Sequence, residues 1–300
     1  MDEDWSRARG MFAAWAGPPV IWLLGLFLIP MAIIGAFSFG ENRSLIEIVV
    51  NGTLRNYAHA LQPLYLGIIA KSVWFAALST GLCLLLGFPV AVGIAFAPDK
   101  AKGWLLLAVM LPFWTNLLIR TYALMAALRT EGYVNAGLAL AWGGVRRLAS
   151  LAGGALPAFQ PLPLLHNNFA VVLGLVYVQL PFMVLPLYAA LDRLDRSLIE
   201  ASLDLGAGHL ATFLRVVLPL ALPGVVSGAI VTFIPSVGAF LTPDLLGGPE
   251  SLMIANIIER QFKAADNWPF GAALSFLLIY LTFFGIAAQA LIGRRRRRPA

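Results

Sequence analysis

The sequence predicts an all-α membrane protein with six transmembrane helices. Three observations carry that reading. The 300 residues are 60% hydrophobic and only 12% charged, and a mean hydropathy of +0.82 in a soluble fold would leave large apolar patches in water. Several runs reach the roughly 20 apolar residues that a hydrocarbon core requires. Basic residues gather in alternate connecting segments, as a polytopic topology demands.

Taken in order, the spans are 19–39, 71–97, 103–126, 169–190, 220–242 and 269–292. The first is too long for a signal-peptide core and lacks a small-residue cleavage site, so it stays in the membrane. With both ends on the cytoplasmic side, the inner segments hold Arg7, Arg9, Lys100, Lys102, Arg193, Arg196, Arg215 and the run Arg294 to Arg298. The outer segments hold fewer basic residues and the acids Glu41, Glu47, Glu250, Glu259 and Asp266. The pI near 9.8 therefore reports topology, and the arginine tail reads as an anchor against anionic lipid, not a nucleic-acid contact. Residues 1–18 and 294–300 read as cytoplasmic tails flanking a transmembrane domain of 19–293.

The longest connection, about 127–168, contains Gly143-Gly144, Gly153-Gly154, Pro157, Pro161 and Pro163. That punctuation predicts turns and at most short helices. Prolines at 30, 89, 112, 181, 186, 223 and 235 lie inside or at the edges of spans. Each loosens a helix and frees backbone groups that neighbours or a wet cavity must satisfy. Cys83 is the single cysteine, so it has no disulfide partner and reads as a small buried side chain. His59, His166 and His209 fall in three different loops, which argues against a metal site. No phosphate-binding loop, nucleophile elbow or HExxH pattern occurs; Lys71-Ser72 lacks the glycine spacing of a phosphate loop.

The stretch EASLDLGAGHLATFLRVVLP, 200–219, interrupts this apolar series. As a helix it places Leu194, Leu198, Ala201 and Leu205 in one narrow stripe, with Arg193, Arg196, Glu200 and Asp204 opposite. Asp192 with Arg196, and Arg196 with Glu200, are i,i+4 pairs worth about 0.2–0.5 kcal/mol each. Gly206 ends the helix in the left-handed cap conformation, Gly208 allows a second bend, and Pro219 opens the next span. A narrow stripe suits docking in a groove. A helix seated on anionic lipid prefers a basic polar face, whereas this one carries Glu200 and Asp204. A protein partner is the better reading.

Glu200-Ala201-Ser202, Gly206, Val216 and Leu218-Pro219 resemble the EAA loop of ATP-binding-cassette importer permeases at every spacing, with Ser202 for the second alanine. The segments Phe233 to Phe240 and Thr242 to Gly248 are similar to the spermidine/putrescine permease family, as are Ser251 to Ile254, Asn267 to Ala273 and Arg120 to Ala123. Glu131 and Tyr133 depart from that family's pattern. The resemblance implies a type I importer transmembrane domain with a cytoplasmic coupling helix, its coupling loop spanning 191–219. It implies a second, related permease chain, two cytoplasmic ATPase subunits docking on the EAA helices, and an external binding protein. ATP and Mg would be bound by the ATPase, and this chain would hold no cofactor, metal or catalytic residue. Glu200, Ala201, Ser202, Asp204, Leu205, Gly206 and Pro219 are the expected coupling residues.

Polar or ionisable residues within spans are functional candidates. Asn116 and Arg120 are four apart on the third span, with Trp114 and Tyr122 nearby; Tyr177 and Gln179 lie on the fourth, Ser236 on the fifth, and Asp244 just beyond it. The alternatives are that Arg120 snorkels and that Tyr177 and Gln179 bind helices together. Asp244 with Glu250, and the aromatics Trp114 and Tyr177, suit a polyamine; Arg120 opposes a cation unless Asp244 or Glu131 neutralises it. An opine or amino-acid-like cargo stays open. A secondary transporter would need intramembrane ion ligands and two half-repeats, and a membrane-bound enzyme is the third reading.

Overall fold

The computed structural model describes residues 9–43, 47–152, 154 and 156–296, with side chains from residue 14 to 285. Arg7, Gly153, Arg297 and Arg298 lie outside the described residues, with the rest of 1–8 and 297–300. The chain divides into two compact units, Met1–Leu66 with Ile257–Ala300, and Gly67–Asn256.

In the first unit, helix α1 (Arg9–Ser38) packs against α13 (Trp268–Arg296). The side chain of Phe276 lies 3.2 Å from where a Cβ on Gly35 would stand. Past Ser38 the chain turns into an antiparallel ribbon, β1 (Gly40–Asn42) and β2 (Ile48–Val50), with Glu41 opposite Val49. Helix α2 (Arg55–Ala60) follows. It is tied back by the Tyr57 and Ser38 hydroxyls at 2.9 Å, and by Asn56 Nδ2 donating to the carbonyls of Gly40 and Ser38 at 2.8 and 3.2 Å. His59 stacks on Phe270 with centroids 4.5 Å apart, and Tyr65 meets both rings edge-on.

The second unit is built around α7 (Asn168–Asp192) and α10 (Leu218–Val237). The most apolar stretch of α7 is 61% buried, against 0% in α1, so α7 is the central span of its unit. Glycines permit its close approach to α10. A Cβ on Gly224 would stand 2.5 Å from Ala190 Cβ and 2.8 Å from the Pro186 carbonyl, and one on Gly228 2.7 Å from Met183 Sδ. Small residues let helix backbones approach in a membrane, where packing replaces the hydrophobic drive. Helix α3 (Pro63–Ala95) closes the core from another side through Phe75, Cys83, Phe88 and Ala91.

Among the described residues, five helices are long and apolar enough to cross a membrane, and one bent pair makes a sixth when counted as a single span. That pair corrects the expected continuous span 103–126. Helix α4 (Asp99–Met110) runs into a 3-10 turn, Leu111–Trp114, and α5 (Leu117–Leu128) opens the second arm, Leu117–Leu151, which lies at 91° to Asp99–Trp114. Pro112 has no N–H to continue the ladder, Thr115 is extended at ψ 147°, and the Asn116 side chain accepts from Leu118 N at 2.8 Å to start a new helix.

The connection 127–168 also differs from expectation. It contains α6 (Tyr133–Leu151), a helix of 19 residues. Gly143 and Gly144 lie inside it, and the Ala, Leu and Arg residues around them outweigh two glycine penalties of about 1 kcal/mol each. Asn135 clamps α6 to the returning extended segment, donating to Leu162 O at 3.0 Å and accepting from Leu162 N at 2.9 Å. The fifth span ends at Val237, short of the expected 242, because the chain turns at Gly238 into α11 (Leu241–Leu246). Helix α12 (Ile254–Lys263) precedes α13.

Candidate functional site

The EAA stretch folds as α8 (Arg196–Asp204), α9 (His209–Thr212) and a π turn, Phe213–Val217, leading into α10. Asp195 caps α8 by accepting from Ser197 N at 3.0 Å. Hydrogen bonds from Ser197 hold its carboxyl below the usual carboxylate range. At the other end Gly206 has φ +84°. Its N–H bonds Leu203 O at 2.9 Å, and Ala207 N–H bonds Ser202 O at 3.1 Å. Those two bonds form a Schellman cap, which satisfies the last carbonyls and turns the chain back. Ser202 Oγ then meets Thr212 Oγ1 at 3.0 Å, locking α8 to α9.

Leu194 and Ile199 pack against the core of the unit. Leu198 and Leu205 are 47% and 89% exposed, and Ala201 between them is exposed too. The outward stripe therefore has no cover from its own chain. Glu200 and Asp204 are exposed on the adjoining face, and Pro219 stands in the first turn of α10.

The two expected i,i+4 ion pairs do not form. Arg193 to Asp195 separate α7 from α8, so Asp192 and Arg196 belong to different helices. Asp192 instead accepts from Lys102 Nζ at 2.8 Å, with Asp99 3.3 Å from the same nitrogen. The Arg196 guanidinium sits 5.7 Å from the Phe96 ring, and among the described residues Glu200 makes no ion pair. Lys102 and Phe96, which tie the start of α4 and the end of α3 to the α7–α8 corner, were missed in the sequence. A basic residue after a span signals topology before it signals a partner.

The pathway candidates separate by exposure. Trp114 is 75% exposed, Tyr122 50% and Tyr177 40%, and Asp244 is exposed on α11. Helix α11 packs against both α5 and α7, through Thr242 and Leu246 beside Gly174, which brings these three elements together. Asn116 spends its side chain on the α5 cap. Gln179 and Ser236 are buried, and the Ser236 hydroxyl bonds Thr232 O at 2.7 Å within its own helix. Arg120 does not snorkel. It is 8% exposed and lies 5.9 Å from the Phe113 ring; among the described residues its Nε and Nη1 have no partner, and neither Asp244 nor Glu131 pairs with it. The sequence reading also missed Lys71 and Ser72. Lys71 Nζ donates to Glu250 O, and Ser72 Oγ accepts from Ile254 N at 2.8 Å, fastening the loop after α11 to α3.

Among the described residues, five apolar helices and one bent pair, with an exposed, capped helix between α7 and α10, match the make-up of a membrane permease subunit of an ABC importer. The chain belongs to the binding-protein-dependent transport system inner membrane component family, whose model matches residues 8–298. It is 41% identical over 259 residues to the spermidine/putrescine transport system permease protein PotB of Salmonella typhimurium, covering 86% of this chain and 85% of that one. It is 38% identical over 282 residues to PotB of Haemophilus influenzae, covering 91% and 92%. The fold also matches a chain of a bacterial alginate ABC transporter crystallised with its alginate-bound periplasmic protein, at TM-score 0.65, 16% identity and full coverage of both chains.

Proposed function

We propose that this permease forms half of an ATP-driven import pathway for a polyamine of the spermidine/putrescine class. A second, related permease forms the other half. Two cytoplasmic ATPase subunits, which bind ATP and Mg, dock on the α8 helices, and an external binding protein delivers cargo. Both termini are cytoplasmic. The observation that carries the coupling role is the uncovered stripe of Leu198, Ala201 and Leu205 on a helix fixed at both ends by its own caps.

Closure of the ATPases moves α8, and the Ser202–Thr212 and Arg196–Phe96 contacts pass that motion to α10 and α3. This chain contributes a path and a lever; the chemistry of hydrolysis belongs to the ATPase. Cargo assignment is supported by the relatives and by the exposed carboxylate and aromatics at Asp244, Tyr177 and Trp114, which suit a cationic amine. The test is reconstitution with both partners and the binding protein, measuring ATPase association, cargo-stimulated hydrolysis and uptake of labelled spermidine. A strong preference for a sugar or a carboxylate solute would rule the polyamine out. Retention of the ATPase by a chain carrying Glu200→Lys and Gly206→Val together would rule out α8 as the dock.

A further inference from the structure

Helix α6 is as long as a span, at 19 residues, yet on its own it is not among the five helices apolar enough to cross a membrane. The arm that it ends, Leu117–Leu151, lies at 91° to Asp99–Trp114, so α6 does not carry that helix onward through the bilayer. At 3.6 residues per turn its surface divides into three arcs. Asn135 and Trp142 face the extended segment that follows. Asn135 clamps Leu162, and Trp142 Nε1 donates to Pro157 O at 3.0 Å. Tyr133, Leu140, Leu148 and Leu151 share the second arc and are 70–85% exposed, so the chain itself leaves that arc bare. Arg146, Arg147 and Ser150 occupy the third, and all three are exposed. A groove of about 640 Å³ adjoins the bare arc. Leu138, Trp142, Val145, Pro157 and Phe159 wall it, and Gln160 adds an amide.

Charge decides what covers the bare arc. No acid occurs in α6. Glu131 precedes its N-terminus, roughly 20 Å along the helix from Arg146. Neither arginine makes an ion pair among the described residues. The coupling helix α8 carries both signs beside its stripe. A wholly basic polar arc opposite leucines, with Tyr and Trp on the apolar side, is instead the make-up of a helix seated on lipid. Short outer connections are depleted in arginine, so topology does not account for the Arg146-Arg147 pair, whereas lipid phosphate does. We infer that α6 lies in the outer membrane–water interface, with Leu140, Leu148 and Leu151 at the acyl boundary and Arg146 and Arg147 on the phosphates of anionic lipid. A guanidinium matches phosphate oxygens two at a time, and the apolar groove receives part of an acyl chain. The choice of leaflet rests on the proposed cytoplasmic termini; the seating rests on α6 alone.

The test reconstitutes the full chain, alone and assembled with its second permease and ATPases, in nanodiscs of phosphatidylcholine and phosphatidylglycerol. A nitroxide is attached through Leu148→Cys or Ser150→Cys. Both positions are exposed, and the native Cys83 is buried and stays unlabelled. Oxygen concentrates among acyl chains, while a charged nickel chelate stays in water. The ratio of oxygen to nickel collisions is expected to be severalfold higher at position 148 than at 150. A label at 148 as open to nickel as that at 150 overturns the seating. Shielding from both probes overturns it too, since a protein would then cover the arc. A second arm places a fluorophore through Ser150→Cys and compares quenching by doxyl-labelled phosphatidylglycerol and phosphatidylcholine. The anionic lipid is expected to quench preferentially, and Arg146→Gln with Arg147→Gln to lower that preference about fivefold, the equivalent of about 1 kcal/mol. Equal quenching with both arginines present overturns the phosphate contact. Reaction of Ser150→Cys with an impermeant maleimide in spheroplasts reports the leaflet separately. Reaction only after permeabilisation overturns the outer placement and the proposed topology, not the seating.

Discussion

Nothing lies within 4 Å of the position that a Cβ on Gly206 would occupy, so the demand for glycine there is conformational alone. A φ of +84° strains a β-branched residue by about 1–3 kcal/mol, whereas asparagine tolerates the left-handed region. Gly206→Val is therefore expected to abolish ATPase association and cargo-stimulated hydrolysis, with Gly206→Asn close to wild type. Equal behaviour of the two would mean that side-chain volume, not φ, decides. At the other end of α8 the Asp195 cap is pH-dependent. Its folded carboxyl is held below the unfolded value of about 3.9, so the cap's contribution is present above that value and fades as pH falls through the lower folded one. Amide exchange at Ser197 is expected to accelerate in that acid range and to be fast at every pH in Asp195→Ala. Gly206 was legible because one glycine at a helix end has few other uses. Asn116 was not: a polar residue in an apolar span reads as pathway lining, yet its oxygen starts a helix.

The six-span count was legible because hydropathy integrates over a whole crossing. The same averaging hid the elbow at Pro112, since apolar residues run through the 91° break and transfer energy does not depend on helix direction. Helix α6 was hidden for the opposite reason: its glycines signal turns, while the Asn135 clamp to Leu162 is a contact 27 residues away that no local pattern announces. The α7–α10 pair depends on absent side chains. A leucine at Gly224 must displace Ala190 and the Pro186 carbonyl, and overpacking of this kind costs about 1–3 kcal/mol or more. Gly224→Leu is expected to lower the detergent-solubilised Tm and the folded yield. Gly143→Leu, in open space on α6, is expected to leave both unchanged or raised. A Gly224 variant as stable as wild type would show that the two helices separate without penalty.

For the whole molecule, the candidate pathway residues divide into those that face outward from their unit and those that hold it together. Tyr177 and Asp244 face outward, on elements that α11 joins, and neither side chain supports the core. Tyr177→Ala and Asp244→Asn are therefore expected to cut uptake severalfold while the chain inserts, folds and retains its ATPase. Arg120 behaves differently. Its charge is buried with two unpartnered nitrogens, a state that costs several kcal/mol when nothing answers it. Arg120→Met keeps an unbranched apolar side chain and removes the unanswered charge together with its guanidinium's approach to the Phe113 ring. In the chain alone, Arg120→Met is expected to leave Tm unchanged or higher. In the assembled importer the same substitution separates two roles for the guanidinium. Loss of uptake at unchanged Tm places Arg120 in transport, where something outside this chain must accept its N–H groups. A Tm loss of several degrees in the isolated chain would show instead that a partner within the chain already satisfies them. Uptake is measured at matched membrane levels, with ATPase retention scored in the same particles. Normal uptake by both Tyr177→Ala and Asp244→Asn would remove those residues from the pathway and leave α8 as the one functional element that exposure and geometry support.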